Sequence, residues 1–284
     1  MKLHYHKSPL NNFGDVLNPW FWNKVFGDEW ETKGNKNEIV VGIGTLINES
    51  LDSDSRYHIL GSGVGYGTTI PKNRNKWNIH CVRGPLSAKA LGVEQGLAIS
   101  DPAILISDFV KFDSNVKKYN YSFMPHVDID SSRYQFVCEE IGINYISPKW
   151  SMARVLENIH HSEKLLCSAM HGAILADTLR VPWLPIITAD DILPFKWEDW
   201  CLSMELNYKP ARLTPLWVNA EVTMSSKLKT SIKDMIAKTQ LKKLINSKYF
   251  MLSDSLVINN KKEKLKEVFH EFQSKELNKF VDNN

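Results

Sequence analysis

Short apolar runs alternate along the chain with stretches of helical spacing, the pattern expected of βαβ units around mostly parallel sheets. Strands are predicted at 2–6, 38–43, 57–61, 78–82 and 97–100. A second series follows at 121–125, 143–147, 164–168 and 183–187. Between them, Asn18-Pro19 reads as the cap and first residue of a helix running through Trp22 to Phe26 and ended by Gly27. Pro85 opens a helix that Gly92 closes, and Gly172 to Leu179 gives another, stopped before Pro182. The polar stretch 107–120 interrupts this rhythm and marks a boundary. From about residue 226 the chain is helical and amphipathic, with Leu228, Ile232, Met235 and Ile236 at helical spacing. The expected organisation is α/β: two Rossmann-like domains, 1–112 and 118–205, facing a cleft, then a helical, basic extension over 206–284.

Length agrees with this, since 284 residues at roughly 150 per domain make about two domains. A chain 43% hydrophobic and 24% charged has the composition of a soluble globule. No run approaches the ~18 apolar residues of a membrane span, and the opening MKLHYHKSP has no apolar signal-peptide core. Cys81, Cys138, Cys167 and Cys201 are far apart, without CxxC or metal-ligand spacing, which reads as free thiols in a reducing cytoplasm and no metal site. Charge is uneven: 227–284 has 13 Lys against 7 Asp+Glu, or +6, so the rest of this +3 chain carries −3. A basic tail on an acidic body suits an acidic surface or a solvated helical face. Nucleic acid is disfavoured, because the lysines lack interleaved aromatics.

The unusual residues cluster just after predicted strands: Gly14 and Asp15, Gly44 and Thr45, Ser62 and Gly63, Arg83, Asp101, His126, and His171 with Gly172. Ligands of open α/β sheets bind beyond the carboxyl ends of the strands, so these clusters line one cleft. Singly, each has a plain structural reading. The run GSGVG over 61–65 is either a phosphate cradle or a tight turn, and it lacks the following acidic residue of a dinucleotide site. Arg83 before a Pro-started helix is either an anion site or an ion-pair partner. His171 at a helix start is either a proton donor or a packed imidazole, and His160-His161 reads as solvated.

In sequence order, NFGDVLNPWFW (12–22), GIGTLI (42–47), GSGVGYG (61–67), VRGPLSAKALG (82–92), SDPAILI (100–106), MPH (124–126) and SAMHGAILADTLRVPW (168–183) resemble the polysaccharide pyruvyl transferase family over roughly 1–205. The resemblance implies a fold similar to the two-domain glycosyltransferases. It also implies transfer of the enolpyruvyl skeleton of phosphoenolpyruvate to a sugar of a bacterial exopolysaccharide or capsule, or its lipid-linked precursor, as a pyruvate ketal. No cofactor or metal is implied, since phosphoenolpyruvate is a substrate. The family's essential histidine matches His171, its donor-binding arginine Arg83 and its NFGD aspartate Asp15. Gly14, Gly44, Thr45, Ser62, Gly63 and Gly172 would complete the donor site, and His126 and Asp101 would orient the acceptor. Many members have Arg two residues before the histidine. Here that position is Ala169, leaving Lys149, Arg154, Arg180 or Lys196 to replace it. The same fold also serves nucleotide-sugar glycosyltransferases and non-catalytic sugar- or anion-binding relatives. If the acceptor is lipid-linked, Lys227, Lys229, Lys233, Lys238, Lys242 and Lys243 would hold the enzyme weakly at the inner, anionic face of the membrane. Leu228, Ile232, Met235 and Ile236 would pack on the protein, since no tryptophan follows residue 217 to anchor an interface.

Overall fold

A computed structural model describes residues 1–7, 9, 12–65, 70–188, 193–216 and 224–278, with the side chains of 224–229 excepted. Tyr66, Gly67, Trp217 and the side chains of Lys227, Leu228 and Lys229, all named above, lie outside the described set. Two parallel sheets form. The first has four strands in the order β1 (Lys2–His4), β2 (Glu38–Val41), β3 (Arg56–Leu60) and β4 (Trp77–Cys81). The second orders as β6 (Asn144–Tyr145), β5 (Tyr119–Met124), β7 (Ser162–Cys167), β8 (Trp183–Ile187) and β9 (Ala211–Arg212). All of these ladders are parallel, so every strand of a sheet delivers its carboxyl end to the same edge. The predicted strand at 97–100 is reduced to one bridge, Val82 with Ala98. Gln95–Leu97 takes a 3₁₀ turn and Pro102 follows, so no longer ladder can extend there.

Helix α1 (Phe13–Phe26) begins well before the predicted Asn18-Pro19 start. Asn12 is the cap, its Oδ1 accepting from the Gly14 N–H at 3.2 Å. Asn18 is buried inside the helix and works as a strand edge. Its Nδ2 donates to the Ile43 carbonyl at 2.9 Å, and its Oδ1 accepts from the Ile43 N–H at 3.0 Å. Pro19 is tolerated inside the helix, where it leaves the Asp15 carbonyl without an i+4 donor. Gly27 ends the helix with φ +86°, as predicted. Between the strands lie α2 (Trp30–Lys33), α3 (Pro85–Leu91), α4 (Ser132–Glu139), α5 (Met152–His160), α6 (Met170–Thr178) and α7 (Pro194–Ser203). The chain from Phe109 to Lys118, inside the predicted boundary, carries no helix or strand.

Two helices from the later part of the chain pack back on its first half. α7, following β8 of the second sheet, packs on α3, and α9 (Ser255–Phe272) packs on β4 and on the 3₁₀ turn Pro102–Asp108. One apolar cluster therefore includes Phe21 and Trp22 of α1, Ile104, Ile159 of α5, Ile174 of α6, Trp200 of α7 and Phe269 of α9. α8 (Met224–Ile245) corrects the expectation for its apolar residues. It buries Asp234, Ala237 and Leu241, whereas Ile232, Met235 and Ile236 face outward. Ion pairs from Arg133 to Asp234 and from Lys238 to Glu140 turn that face toward α4.

Candidate active site

A cavity of about 670 Å³ opens at the carboxyl ends of the strands. Its wall comes from residues 4–7 at the carboxyl end of β1, Asn12, Phe13, Asp15 and Asn18 at the start of α1, and 43–46 with Asn48 and Ser50 after β2. Residues 126–128 after β5, 169–171 after β7, and Lys196 of α7 complete it. Both sheets contribute, as the post-strand clusters require.

His171 stands in the first turn of α6 at this wall. Its ring lies over Gly14, where a Cβ would fall 2.6 Å from Nδ1, so any larger residue would displace the imidazole. Nε2 turns inward, 4.0 Å from Asp101 Oδ2. Both atoms are buried and make no hydrogen bond among the described residues. Asp101 caps the turn Pro102–Asp108, its Oδ1 accepting from the Ala103 N–H at 3.0 Å. Burial raises the Asp101 carboxyl to about 6 against the opposing charge of Arg83 and its backbone hydrogen bonds. Burial, then Lys196, then Arg83 lower His171 to about 3. The pair is thus a neutral imidazole beside a carboxyl whose charged form is disfavoured.

Arg83 does not line the cavity. Its fully buried guanidinium lies on Gly63, donates from Nε to Asp199 Oδ2 at 3.2 Å and from Nη1 to Thr45 Oγ1 at 2.7 Å. Asp199 also accepts from the Ser87 N–H at 2.9 Å and from Ser87 Oγ at 2.6 Å, at the start of α3. The anion between Arg83 and the helix terminus is therefore the chain's own carboxylate. Ser62 and Gly63 likewise sit behind the wall. Ser62 Oγ donates to the Gly44 carbonyl at 3.1 Å and accepts from the Leu46 N–H at 3.2 Å, while the Gly63 N–H donates to the Gly44 carbonyl at 2.9 Å. These bonds hold a bend in which Gly44 has φ +117°, a conformation that glycine takes readily. Gly172 packs against Met124 and Cys167 under the floor.

Gly44, Thr45, Asp15, His126 and His171 thus line the cavity, while Gly14, Ser62, Gly63, Arg83, Asp101 and Gly172 support it from behind. Asp15 is half-buried and accepts from Asn12 Nδ2 at 3.2 Å. Burial raises its carboxyl against the opposing effects of His6 and Asn12. His126 sits beside Asp128, with Nδ1 3.1 Å from Oδ2. Of the four cations considered opposite Ala169, only Lys196 reaches the cavity. Arg154 stacks 3.6 Å over Trp150, Arg180 donates to Ser253, and Lys149 pairs with Asp130 at 3.2 Å. His4, His6 and Lys7 are wall residues that sequence reading missed, although HYHK at the carboxyl end of the first strand was the available signal. Elsewhere among the described residues, Glu38, His58 and Glu276 bring ligand-type atoms together, with Glu38 already accepting from Arg56 at 3.1 Å and from Asn35 at 3.2 Å.

Residues 8–190 match the family model described as polysaccharide pyruvyl transferase. The chain is also 38% identical over 224 residues to the succinoglycan biosynthesis protein ExoV of Rhizobium meliloti (strain 1021), covering 78% of this chain and 70% of that one. No solved structure matches.

Proposed function

This chain belongs to the polysaccharide pyruvyl transferase family, and on that premise we propose that it uses phosphoenolpyruvate to build a pyruvate ketal on a sugar of a bacterial surface polysaccharide or its lipid-linked precursor. Phosphoenolpyruvate is made in the cytoplasm, so the reaction belongs on that side of the membrane. The observation that carries the reading is His171, held at the cavity wall with Nε2 turned 4.0 Å from Asp101 Oδ2. That orientation leaves Nδ1 as the nitrogen for the donor. The relative's involvement in succinoglycan biosynthesis supports a polysaccharide acceptor.

In the proposed reaction the donor's phosphate and carboxylate lie toward Lys196 and the basic residues His4, His6 and Lys7. Donor charge beside His171 raises the proton affinity that burial and Lys196 depress. His171 then gives a proton from Nδ1 to the methylene carbon, and the electron pair of the C=C bond forms the new C–H bond. The adjacent carbon becomes oxocarbenium-like and a sugar hydroxyl attacks it, losing its proton toward Asp15 or His126. The C–O bond to phosphate breaks with its electron pair leaving on phosphate, and a second hydroxyl attacks the same carbon to close the ketal, its proton leaving with phosphate while the first hydroxyl's proton restores His171. The products are the ketal and inorganic phosphate. Arg83 acts from behind the wall, positioning Thr45, and Lys196 supplies the cation that Ala169 does not. The test is phosphate release from phosphoenolpyruvate dependent on depyruvylated polysaccharide. His171→Gln should lower the rate by about 10²–10⁴ with the circular dichroism spectrum unchanged. Wild-type turnover in that variant removes His171 from the mechanism.

A further inference from the structure

We propose that the outward face of α8 docks this protein on an anionic bilayer surface. Docking deepens the lipid-linked reading of the acceptor and rests on that reading for its purpose. The inward face of α8 is already satisfied by Asp234, Ala237 and Leu241. On the other side Ile232, Met235 and Ile236 are 45%, 63% and 39% exposed, and Phe136 of α4 is 46% exposed. Scattered apolar side chains are ordinary on a surface, but three within five residues of one helix mark an interaction face. Lys242 and Lys243 stand exposed in the last turn of α8 and give the face its positive charge, while Lys238 and Arg133, 5.2 and 5.9 Å from the Phe136 ring centroid, are paired with Glu140 and Asp234.

The occupant follows from charge. The segment 227–284 carries +6 on a chain whose remainder carries −3, so an anionic surface attracts this end and repels the body. An exposed helix face that carries both lysines and apolar residues meets an anionic membrane by combined attraction and shallow insertion, its apolar side chains in the headgroup boundary. Among the described residues no helix is long and apolar enough to span. Ile232, Met235 and Ile236 supply shallow insertion and the lysines supply attraction. Neither signal holds the protein alone.

Co-sedimentation with vesicles of phosphatidylcholine alone, and of equal parts phosphatidylcholine and phosphatidylglycerol, tests this at low and high salt. Binding is expected to the anionic vesicles only and to vanish at high salt. The double variants Ile232→Ser/Met235→Ser and Lys242→Gln/Lys243→Gln should each lower partitioning about tenfold or more, given ~1 kcal/mol per lysine near such a surface. Equal binding to both vesicles, no binding to either, or unchanged binding by both variants overturns the proposal. So does a wild-type dimer in sedimentation equilibrium that Ile232→Ser/Met235→Ser dissolves, because the face is then a protein interface. Phosphate release with a soluble acceptor, measured on the same preparations, tests the pyruvyl-transfer reading separately from docking.

Discussion

Burial makes the charged form costly for both His171, lowered to about 3, and Asp101, raised to about 6. A histidine lowered from 6.5 to about 3 takes no proton in the folded protein at pH 5, whereas the unfolded chain does. Stability linked to His171 is therefore complete above pH 6.5 and is lost progressively as pH falls toward 3. Between pH 7 and pH 5 the loss is about 2 kcal/mol. Asp101, raised to about 6, works the other way over part of the range, because the folded state takes up its proton first as pH falls. Comparing wild type with His171→Gln isolates the histidine. Urea unfolding at the two pH values should show the variant losing about 2 kcal/mol less than wild type; equal losses would mean the imidazole titrates normally in the fold. Kinetics separate the neighbours. If Asp101 orients His171 as proposed, Asp101→Asn should lower kcat with little change in KM, by less than the loss of about 10²–10⁴ expected for the proton donor itself. Lys196→Met should instead raise KM for phosphoenolpyruvate, and steady-state rates against donor concentration distinguish the two. The places of His171, Asp15, Gly44 and Thr45 in the cavity wall were legible in the sequence, because each lies in the connection or helix start that follows a strand. The true partner of Arg83 was not, since Asp199 lies 116 residues away and nothing local announces it.

At the scale of elements, α3 was readable to its ends because Pro85 and Gly92 are local start and stop signals, Gly92 having φ +69°. The start of α1 was misread because the stronger-looking signal, Asn18-Pro19, is used for a tertiary contact to Ile43. α8 misled in a related way: its apolar spacing was visible, but which side faces inward depends on ion pairs with α4. α7 matters most to the cavity. One face of it carries Lys196 into the wall and, a turn later, Asp199 into the buried grip on Arg83 and Ser87. Removing one partner of a buried pair leaves the other charge uncompensated, a larger loss than the pair's own net contribution. Asp199→Ala is expected to lower stability by about 3–5 kcal/mol. Arg83→Met added to Asp199→Ala should restore part of it, because the stranded guanidinium is gone. Chemical denaturation of the two single variants and the double variant decides this, and simple additivity would show that Asp199 and Arg83 are not coupled.

For the whole molecule, two series of strands in the sequence correctly announced two parallel sheets, while the way the chain returns was hidden. Amphipathic spacing after residue 226 says that a helix packs on something, without saying on what. α9 packs across the first half of the chain. Phe269 meets Trp22 at 5.1 Å between ring centroids, and Phe272 meets Phe26 at 5.4 Å and the His58 ring at 5.1 Å. Its lysines Lys262 and Lys266 pair with Asp108 at 3.1 and 2.9 Å, beside the turn that Asp101 caps. The basic end is thus in part a structural strap, while α8 presents Ile232, Met235 and Ile236 outward. Ile258, Leu265, Phe269 and Phe272 are all buried. At about 1.5–3 kcal/mol each, their burial is worth about 6–12 kcal/mol, as large as the net stability of an ordinary domain. A chain ending at Asp254, which keeps the Met251 bridge to Trp183 and the Ser253 bonds to Asp177, should therefore fail to fold cooperatively. Thermal unfolding followed by circular dichroism should show no sharp transition, and a peptide of residues 255–278 added in excess should restore one. A sharp native-like transition in the shortened chain by itself would show that the first 254 residues close their own core, and that α9 only covers it.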